Sequence, residues 1–323
     1  MLLAGDVGGT KTLLGIFTRA PERPTPIETG EFRTLEYDSL GDMIAEFLSA
    51  RRDKADRIEA ACFGVAGVVI DEVATMTNVP WQVDAAEVRT RFKARHTAVL
   101  NDLIVLGYGV TVLQPRELAV LQEGEAAPDG NAAIIAAGTG LGTGMLHNVD
   151  GRFIPSPSEG GHADFAARTP REMDLVLELT RIYGRTHTEH VISGIGLANL
   201  FRFTHPMGCD VVPATADPSA IPALLSTSAM AGRCDACVEA FDMFIAAYGS
   251  EAGNLALRFL ATAGVYVGGG IAPKILPALR GGTFIEAFRA KEPMADLLAT
   301  VPVWVIMNPH AGLLGAAVYA NSL

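Results

Sequence analysis

An amide and a carboxylate, Asn101 and Asp102, stand directly behind a short apolar run, Thr97-Ala-Val-Leu100. The run reads as a buried strand. A polar pair at the carboxyl end of a strand in an α/β chain points into a ligand crevice. Asp102 there could accept the proton of a hydroxyl, and Asn101 could donate to and accept from neighbouring hydroxyls. The competing reading is that Asp102 only caps the following helix, expected over Leu103–Leu113. A second polar cluster, Ser158-Glu-Gly-Gly-His162, sets a carboxylate and an imidazole three residues apart in a glycine loop. The spacing is one residue short of a helical metal-ligand pair, and the glycines oppose a helix. Glu159 could accept from two vicinal hydroxyls and His162 could bond a third, which is how polyols are recognised. A structural histidine is the plain alternative.

Two glycine turns, Val7-Gly8-Gly9-Thr10-Lys11 and Gly138-Thr139-Gly140-Leu141-Gly142, join apolar strand-like runs. A Walker A loop needs Gly-Lys-Ser/Thr opening a helix, and Thr10 stands where its second glycine would be. The alternating glycines at 138, 140, 142 and 144 do not fit a dinucleotide fingerprint either. Glycines in a turn between strands let backbone N–H groups converge on a phosphate. Thr10 and Thr139 add hydroxyls and Lys11 a charge. Either turn alone could be an ordinary β-turn; two at matching places point to a bound nucleotide. Asp6, beside the first turn, is a natural partner for Mg²⁺, directly or through water. A third cluster, Gly268-Gly269-Gly270, precedes Ile271-Ala-Pro273 and suits close approach of an adenine and its ribose, or a plain strand-to-helix turn.

Four cysteines, at 62, 209, 234 and 237, make no disulfide framework in 323 residues. Cys234-x-x-Cys237 lacks a second Cys-x-x-Cys to complete a zinc site. In a helix its thiols share one face, so the pair is expected to pack as small apolar groups, without metal.

These groups need a scaffold. Strands are expected at Leu2–Asp6, Thr12–Phe17, Thr29–Leu35, Ala60–Val65 and Thr97–Leu100, with a Pro-rich loop at Pro21–Pro26. A helix over Asp38–Arg51 places Leu40, Met43, Ile44, Phe47 and Leu48 on one face. Asp84 and Glu87 open a short helix to Phe92. The order βββαβαβα then partly repeats: Asn131–Ala137, Thr143–His147 and Arg152–Ile154 read as strands, and Thr169-Pro-Arg-Glu172 opens a helix. A largely helical insertion spans Glu189–Ala263, and Gly264–Val267 and Val301–Met307 return as strands. The expected architecture is α/β, with two related domains facing across a cleft, each opening with a glycine-turn hairpin. The first covers 1–113, with the C-terminal helix over 310–323 packing back on it, and the second covers 114–309.

Apolar residues make up 49% and charged residues 19% of the chain, enough for a large core. A net charge of −11 opposes nucleic-acid and anionic-membrane partners. No apolar run reaches a membrane span, and the first residues carry no basic signal-peptide region. With the free cysteines, this suggests the cytoplasm.

Taken in order, Asp6-Val-Gly-Gly-Thr-Lys, Leu100-Asn-Asp-Leu, Ala137-Gly-Thr-Gly-Leu-Gly, Glu159-Gly-Gly-His-Ala-Asp-Phe165, Glu189-His-Val-Ile-Ser-Gly-Ile-Gly-Leu197, Val267-Gly-Gly-Gly-Ile-Ala-Pro273 and Asn308-Pro-His-Ala-Gly-Leu-Leu-Gly315 resemble the bacterial ATP-dependent glucokinase family. The resemblance spans nearly the whole chain. It implies RNase H-like domains of actin/hexokinase type and a cytoplasmic homodimer that phosphorylates glucose at O6 with Mg-ATP. It also implies Asp102 as the base and Asn101, Asp102, Glu159, His162 and Glu189 as sugar ligands. Residues alone would leave Glu189 a dipole-complementing carboxylate at a helix start. Ser158 departs from a common glycine and Lys11 from an asparagine of some members. The cysteine zinc motif that the related repressor–kinases carry after Glu-x-Gly-His is missing. A kinase for another hexose is the nearest alternative. A nucleotide-dependent assembly or chaperone ATPase would not need the polar pair at 101–102, and a repressor would need a DNA-binding extension.

Overall fold

The amino-terminal sheet grows from two strands that are buried almost throughout. In the computed structural model these are β1 (Leu2–Val7), where only Asp6 is half-buried, and β4 (Ala60–Val65); β2 (Lys11–Thr18) pairs with β1 on its other side and β3 (Thr25–Arg33) forms the exposed edge beyond it. Three short strands follow, β5 (Val68–Ile70), β6 (Val73–Thr75) and β7 (Gln82–Asp84), and then β8 (His96–Asn101). The structure describes residues 1–55, 57–76, 79–206, 208–213 and 216–323, with positions 52, 55 and 218 described by backbone alone. The sheet runs β3-β2-β1-β4-β8; β1 is antiparallel to β2 and parallel to β4, which is parallel to β8. Parallel strands need cover on both faces, so they read as unbroken apolar runs. One face packs on helix Leu40–Ser49 through Met43, Ile44 and Phe47; the other packs on the C-terminal helix Ala311–Ser322 through Leu313, Leu314, Ala316 and Ala317.

Registers decide what this sheet presents. Val7 lies beside Val65, and Val65 beside Asn101. The first glycine turn and the Asn101-Asp102 pair therefore leave the same carboxyl edge, two strands apart, or about 10 Å. Helix Asp102–Val110 then crosses the C-terminal helix at glycines. A Cβ on Gly315 would overlap the Val105 carbonyl, and one on Gly109 would overlap that of Ala311. This backbone-on-backbone approach fixes the helix that starts at Asp102.

Several details differ from the sequence reading, among them the following. β3 begins at Thr25, so Pro26 lies in a strand and not in the loop; an edge strand tolerates the missing N–H. The separate sheet β5-β6-β7 was not foreseen, because three-residue strands are too short to show a period.

The chain divides into two units by its contacts: Met1–Pro115, Arg152–Pro157 and Asn308–Leu323 form one, and Arg116–Gly151 with Ser158–Met307 the other. In the second unit β9 (Leu118–Gln122), β10 (Ala132–Ala137) and β11 (Leu141–Val149) come first; β12 (Arg152–Ser156) belongs to the first unit's residues; β13 (Gly264–Gly268) and β14 (Val303–Ile306) complete the sheet. The order is β11-β10-β13-β14-β9, with β10, β13 and β14 parallel. Its core is built on the 25-residue helix Asp235–Phe259, whose Phe241, Phe244, Ile245 and Tyr248 are buried. Among the described residues no helix is long and apolar enough to cross a membrane.

Candidate active site

In the first unit, Asn101 takes the capping role. Its Oδ1 accepts from the Leu103 N–H at 2.9 Å, and its Nδ2 donates to the Gly67 carbonyl at 3.1 Å. Asp102 Oδ1 shares the same N–H at 2.9 Å. One acceptor already satisfies that donor, so capping does not by itself account for Asp102. Its charge is felt by Asp6 at the end of β1. Burial pushes the Asp6 carboxyl up to about 7, the Asp102 charge adds to the rise, and Lys11 offsets part of it. Two repelling carboxylates beside a glycine turn are hard oxygen donors that a divalent cation would relieve, so the residues fit Mg²⁺.

The turn itself is braced from inside. The Gly8 N–H donates to the Lys11 carbonyl at 3.0 Å, and the Gly8 carbonyl accepts from Thr34 Oγ1 at 2.7 Å. Thr34 is buried and also meets Thr12 Oγ1 at 2.9 Å. Gly9 and exposed Thr10 lie in the bend between β1 and β2. Lys11 points to Glu31 at 2.7 Å, with both side chains more than half exposed. Such a surface pair contributes ~0–1 kcal/mol and releases the lysine readily. A cavity of about 350 Å³ in this unit, lined by Phe17, Ile27, Asn308, His310 and Leu313, touches neither Asp6 nor Asp102.

In the second unit the two glycine clusters meet. Ala136 pairs with Gly268 across the parallel strands, and the Ile271 N–H donates to the Ala137 carbonyl at 3.2 Å. Gly269 has φ +82° and presses on the Ala137 backbone, so a side chain there is excluded twice over. Gly138 and Gly270 instead face open space. Beneath them, the buried Tyr248 hydroxyl accepts from the Ala137 N–H at 3.3 Å and lies 3.2 Å from the Gly268 carbonyl. Thr139 follows in the turn, where the Gly138 N–H donates to the Gly140 carbonyl at 2.8 Å.

Glu189 is anchored to that turn. Its Oε2 accepts from the Leu141 N–H at 2.7 Å and leaves no room for a side chain on Gly140. Ligand atoms of Glu189, His162 and His187 lie within 4.8 Å of one another, and Glu159 Oε2 lies 4.0 Å from His162 Nε2. The carboxylate thus joins the glycine turn to the Glu159–His162 loop. Ser158 organises that loop: its Oγ accepts from the Gly160 N–H at 2.9 Å and lies 3.3 Å from Thr143 Oγ1. A glycine at 158 would lack both contacts. Rings continue behind the loop, His162 on His187 (4.9 Å), His187 on His190 (3.5 Å) and His190 on Tyr183 (4.1 Å). Burial, with the neighbouring His162, pushes the His187 pKa down; burial, with His187, does the same at His190. Thr34, Tyr248 and His187 were absent from the sequence reading. Each acts on a partner far away in sequence or through one ring, and none stands in a motif.

A profile of the glucokinase family matches residues 3–323. The chain belongs to that family. It is 35% identical to the glucokinase of Nostoc punctiforme over 344 residues, covering all of this chain and 99% of that one. It is 33% identical to that of Yersinia pestis, covering 98% and 95%. In three dimensions it is similar to the crystal structure of a glucokinase from an Antarctic psychrotroph, with TM-score 0.86, 28% identity and 100% and 99% coverage. A glucokinase of the ROK family from Streptomyces griseus, solved with glucose and AMPPNP, shares the fold at TM-score 0.64 and 20% identity.

Proposed function

We propose that this glucose kinase transfers the γ-phosphoryl group of Mg-ATP to O6 of glucose, with Asp102 as general base. The observation that carries the reading is the common sheet edge of Asp6, the Gly8–Lys11 turn and Asp102, with the capping duty taken by Asn101. Asp102 accepts the hydroxyl proton as the oxygen attacks phosphorus; the O–H bond breaks, the new P–O bond forms and ADP departs. Asn101, Glu159, His162 and Glu189 hold the sugar hydroxyls. Backbone N–H groups around Gly8, Gly9, Thr10, Gly138, Thr139 and Gly140 receive phosphate oxygens, and Lys11 leaves Glu31 to join them. Gly268, Gly269 and Gly270 admit the adenosine. Asp6 orients magnesium, which supplies charge neutralisation when bound.

Under this reading two related domains, each led by a glycine-turn hairpin, contribute to one reaction: residues 1–113 with 310–323, and 114–309. The enzyme works in the cytoplasm as a homodimer, and sedimentation of the purified chain reads the assembly. A coupled assay over a panel of hexoses and phosphoryl donors tests the function. Glucose with ATP should give the highest kcat/KM; a larger value for another hexose would move the assignment to that sugar.

A further inference from the structure

Outside the catalytic groups, the second unit gathers a cluster that no step above uses. His205 follows helix Gly194–Thr204, Cys209 lies in the connection after it, Cys234 caps helix Asp235–Phe259 and Cys237 sits in that helix's first turn. The Nε2 of His205 lies 3.5 Å from Cys234 Sγ and 3.5 Å from Cys237 Sγ. Cys209 Sγ is 3.7 Å from Cys234 Sγ and 4.0 Å from Cys237 Sγ. All four ligand atoms fall within 4.8 Å of one another.

We propose that His205, Cys209, Cys234 and Cys237 bind one structural Zn²⁺ ion. The distances are those of a tetrahedron's edges. Bonds of about 2.3 Å to sulfur and about 2.0 Å to nitrogen set S···S edges near about 3.8 Å and S···N edges near about 3.5 Å. A disulfide would need about 2.05 Å between two of these sulfurs, and all are free thiols. The imidazole is held in the tautomer a metal needs. Its Nδ1 lies 2.9 Å from the Phe201 carbonyl, which only an Nδ1–H can donate to, so Nε2 keeps its lone pair toward the sulfurs. Thr204 Oγ1, 2.9 Å from the same nitrogen, and the stacked Phe201 ring hold the orientation.

Three thiolates and a neutral imidazole are a soft set that selects zinc over magnesium. Binding displaces three thiol protons per ion and changes no oxidation state. Four protein ligands leave no open position, so the ion does no chemistry. It fastens the end of one helix to the start of another across residues 206–233. The second helix also carries Tyr248, which braces the Gly138 turn and Gly268. The expectation of a metal-free thiol pair at Cys234 and Cys237 rested on the lack of a second Cys-x-x-Cys. The completing ligands are instead His205-x₃-Cys209, brought in by helix packing.

The test is elemental analysis of the full chain, produced in zinc-supplemented medium and purified without chelator or an affinity metal. About one zinc per chain is expected, lost in Cys209→Ser and Cys237→Ser and kept in Cys62→Ser, whose thiol lies in the other unit. Should either cluster variant fail to fold, the wild type answers alone: a mercurial titrated against a zinc-sensitive dye should release the ion as three thiols react. Wild-type protein with under about 0.1 zinc per chain after incubation with zinc salt, or zinc that survives loss of Cys237 in a folded variant, would overturn the proposal.

Discussion

Gly312→Ala is the sharpest perturbation of the candidate magnesium and phosphate edge, because it adds one methyl group and changes no charge. Gly312 is the second residue of the C-terminal helix. A Cβ built there meets Asp6 Oδ2 at 2.6 Å and its Cγ at 3.0 Å. Real Cβ contacts hardly occur under 3.0 Å, so the carboxylate must retreat by about 0.4 Å or more, or the helix must shift. The helix has little freedom, since it is locked to helix Asp102–Val110 through Gly315 and Gly109. Asp6 therefore moves. Alanine gains roughly 0.5–1 kcal/mol over glycine in a helix, against roughly 1–3 kcal/mol for overpacking, so the net loss of stability lies between roughly 0 and 2.5 kcal/mol. The catalytic effect is larger, because a misplacement of about 1 Å at a reacting centre costs up to roughly 10²-fold. We expect kcat to fall by roughly 10- to 100-fold, a higher magnesium concentration for half-maximal rate, and an unchanged glucose KM. In an Asp6→Ala background the same substitution should cost almost nothing more, since the group it displaces is gone. A Gly312→Ala enzyme with wild-type kcat and magnesium dependence would refute the reasoning. So would an undiminished effect on the Asp6→Ala background.

Further outcomes follow from the same geometry. Asp102→Asn should lower kcat by roughly 10²- to 10⁴-fold in the coupled assay while changing glucose binding less; near wild-type turnover would remove the base role. Glu159→Gln should raise only the glucose KM, whereas Glu189→Gln should raise both the glucose and ATP KM, because Glu189 also holds the Leu141 N–H; isothermal titration of each ligand separates the two. Asp6 gives a pH signature without magnesium. Its folded pKa, about 7, lies above the ordinary 3.8, so the folded state holds this proton more tightly and loses stability as pH rises from about 4 to about 7. The unfolding free energy of wild type from urea titrations should carry that fall, on the order of a few kcal/mol. In Asp6→Asn, and in wild type with excess magnesium, the fall should shrink, and identical profiles for all three would exclude it. Tyr248→Phe removes the hydroxyl under Ala137 and Gly268 and should lower the unfolding free energy by roughly 0.5–1.5 kcal/mol while raising the ATP KM, an assignment that an unchanged ATP KM would defeat.

What the sequence displays depends on how local the cause is. Ala60–Val65 is legible because a parallel strand covered on both faces must be apolar at every position. Helix Leu40–Ser49 is legible because one stripe of it is buried. Asn101-Asp102 stands out because two polar residues end an apolar run, although only the structure shows that both side chains share the Leu103 N–H. Thr34 and Tyr248 carry no such mark. Each braces a glycine turn from another element, and a threonine or tyrosine with a distant partner looks like any other.

Glu189 and the cysteines show two things that a local reading leaves out. For Glu189 the motif suggests a role toward sugar but not the anchor. Its second duty, holding Leu141 against the Gly138–Gly140 turn, arises only when β11 and the 3₁₀ turn Thr188–His190 are brought together. Under the proposed function, a carboxylate with one oxygen fixed on that turn links the sugar groups to the phosphate turn, so its loss should disturb both substrates. For Cys234 and Cys237 the local reading stops at the pair. Helical spacing accounts for the pair so simply that it gives no hint of His205 and Cys209, 25 to 32 residues upstream. Counting motifs along a chain finds sites whose ligands are close in sequence. A cluster assembled by the end of one helix and the start of another is found only by asking what each buried sulfur faces.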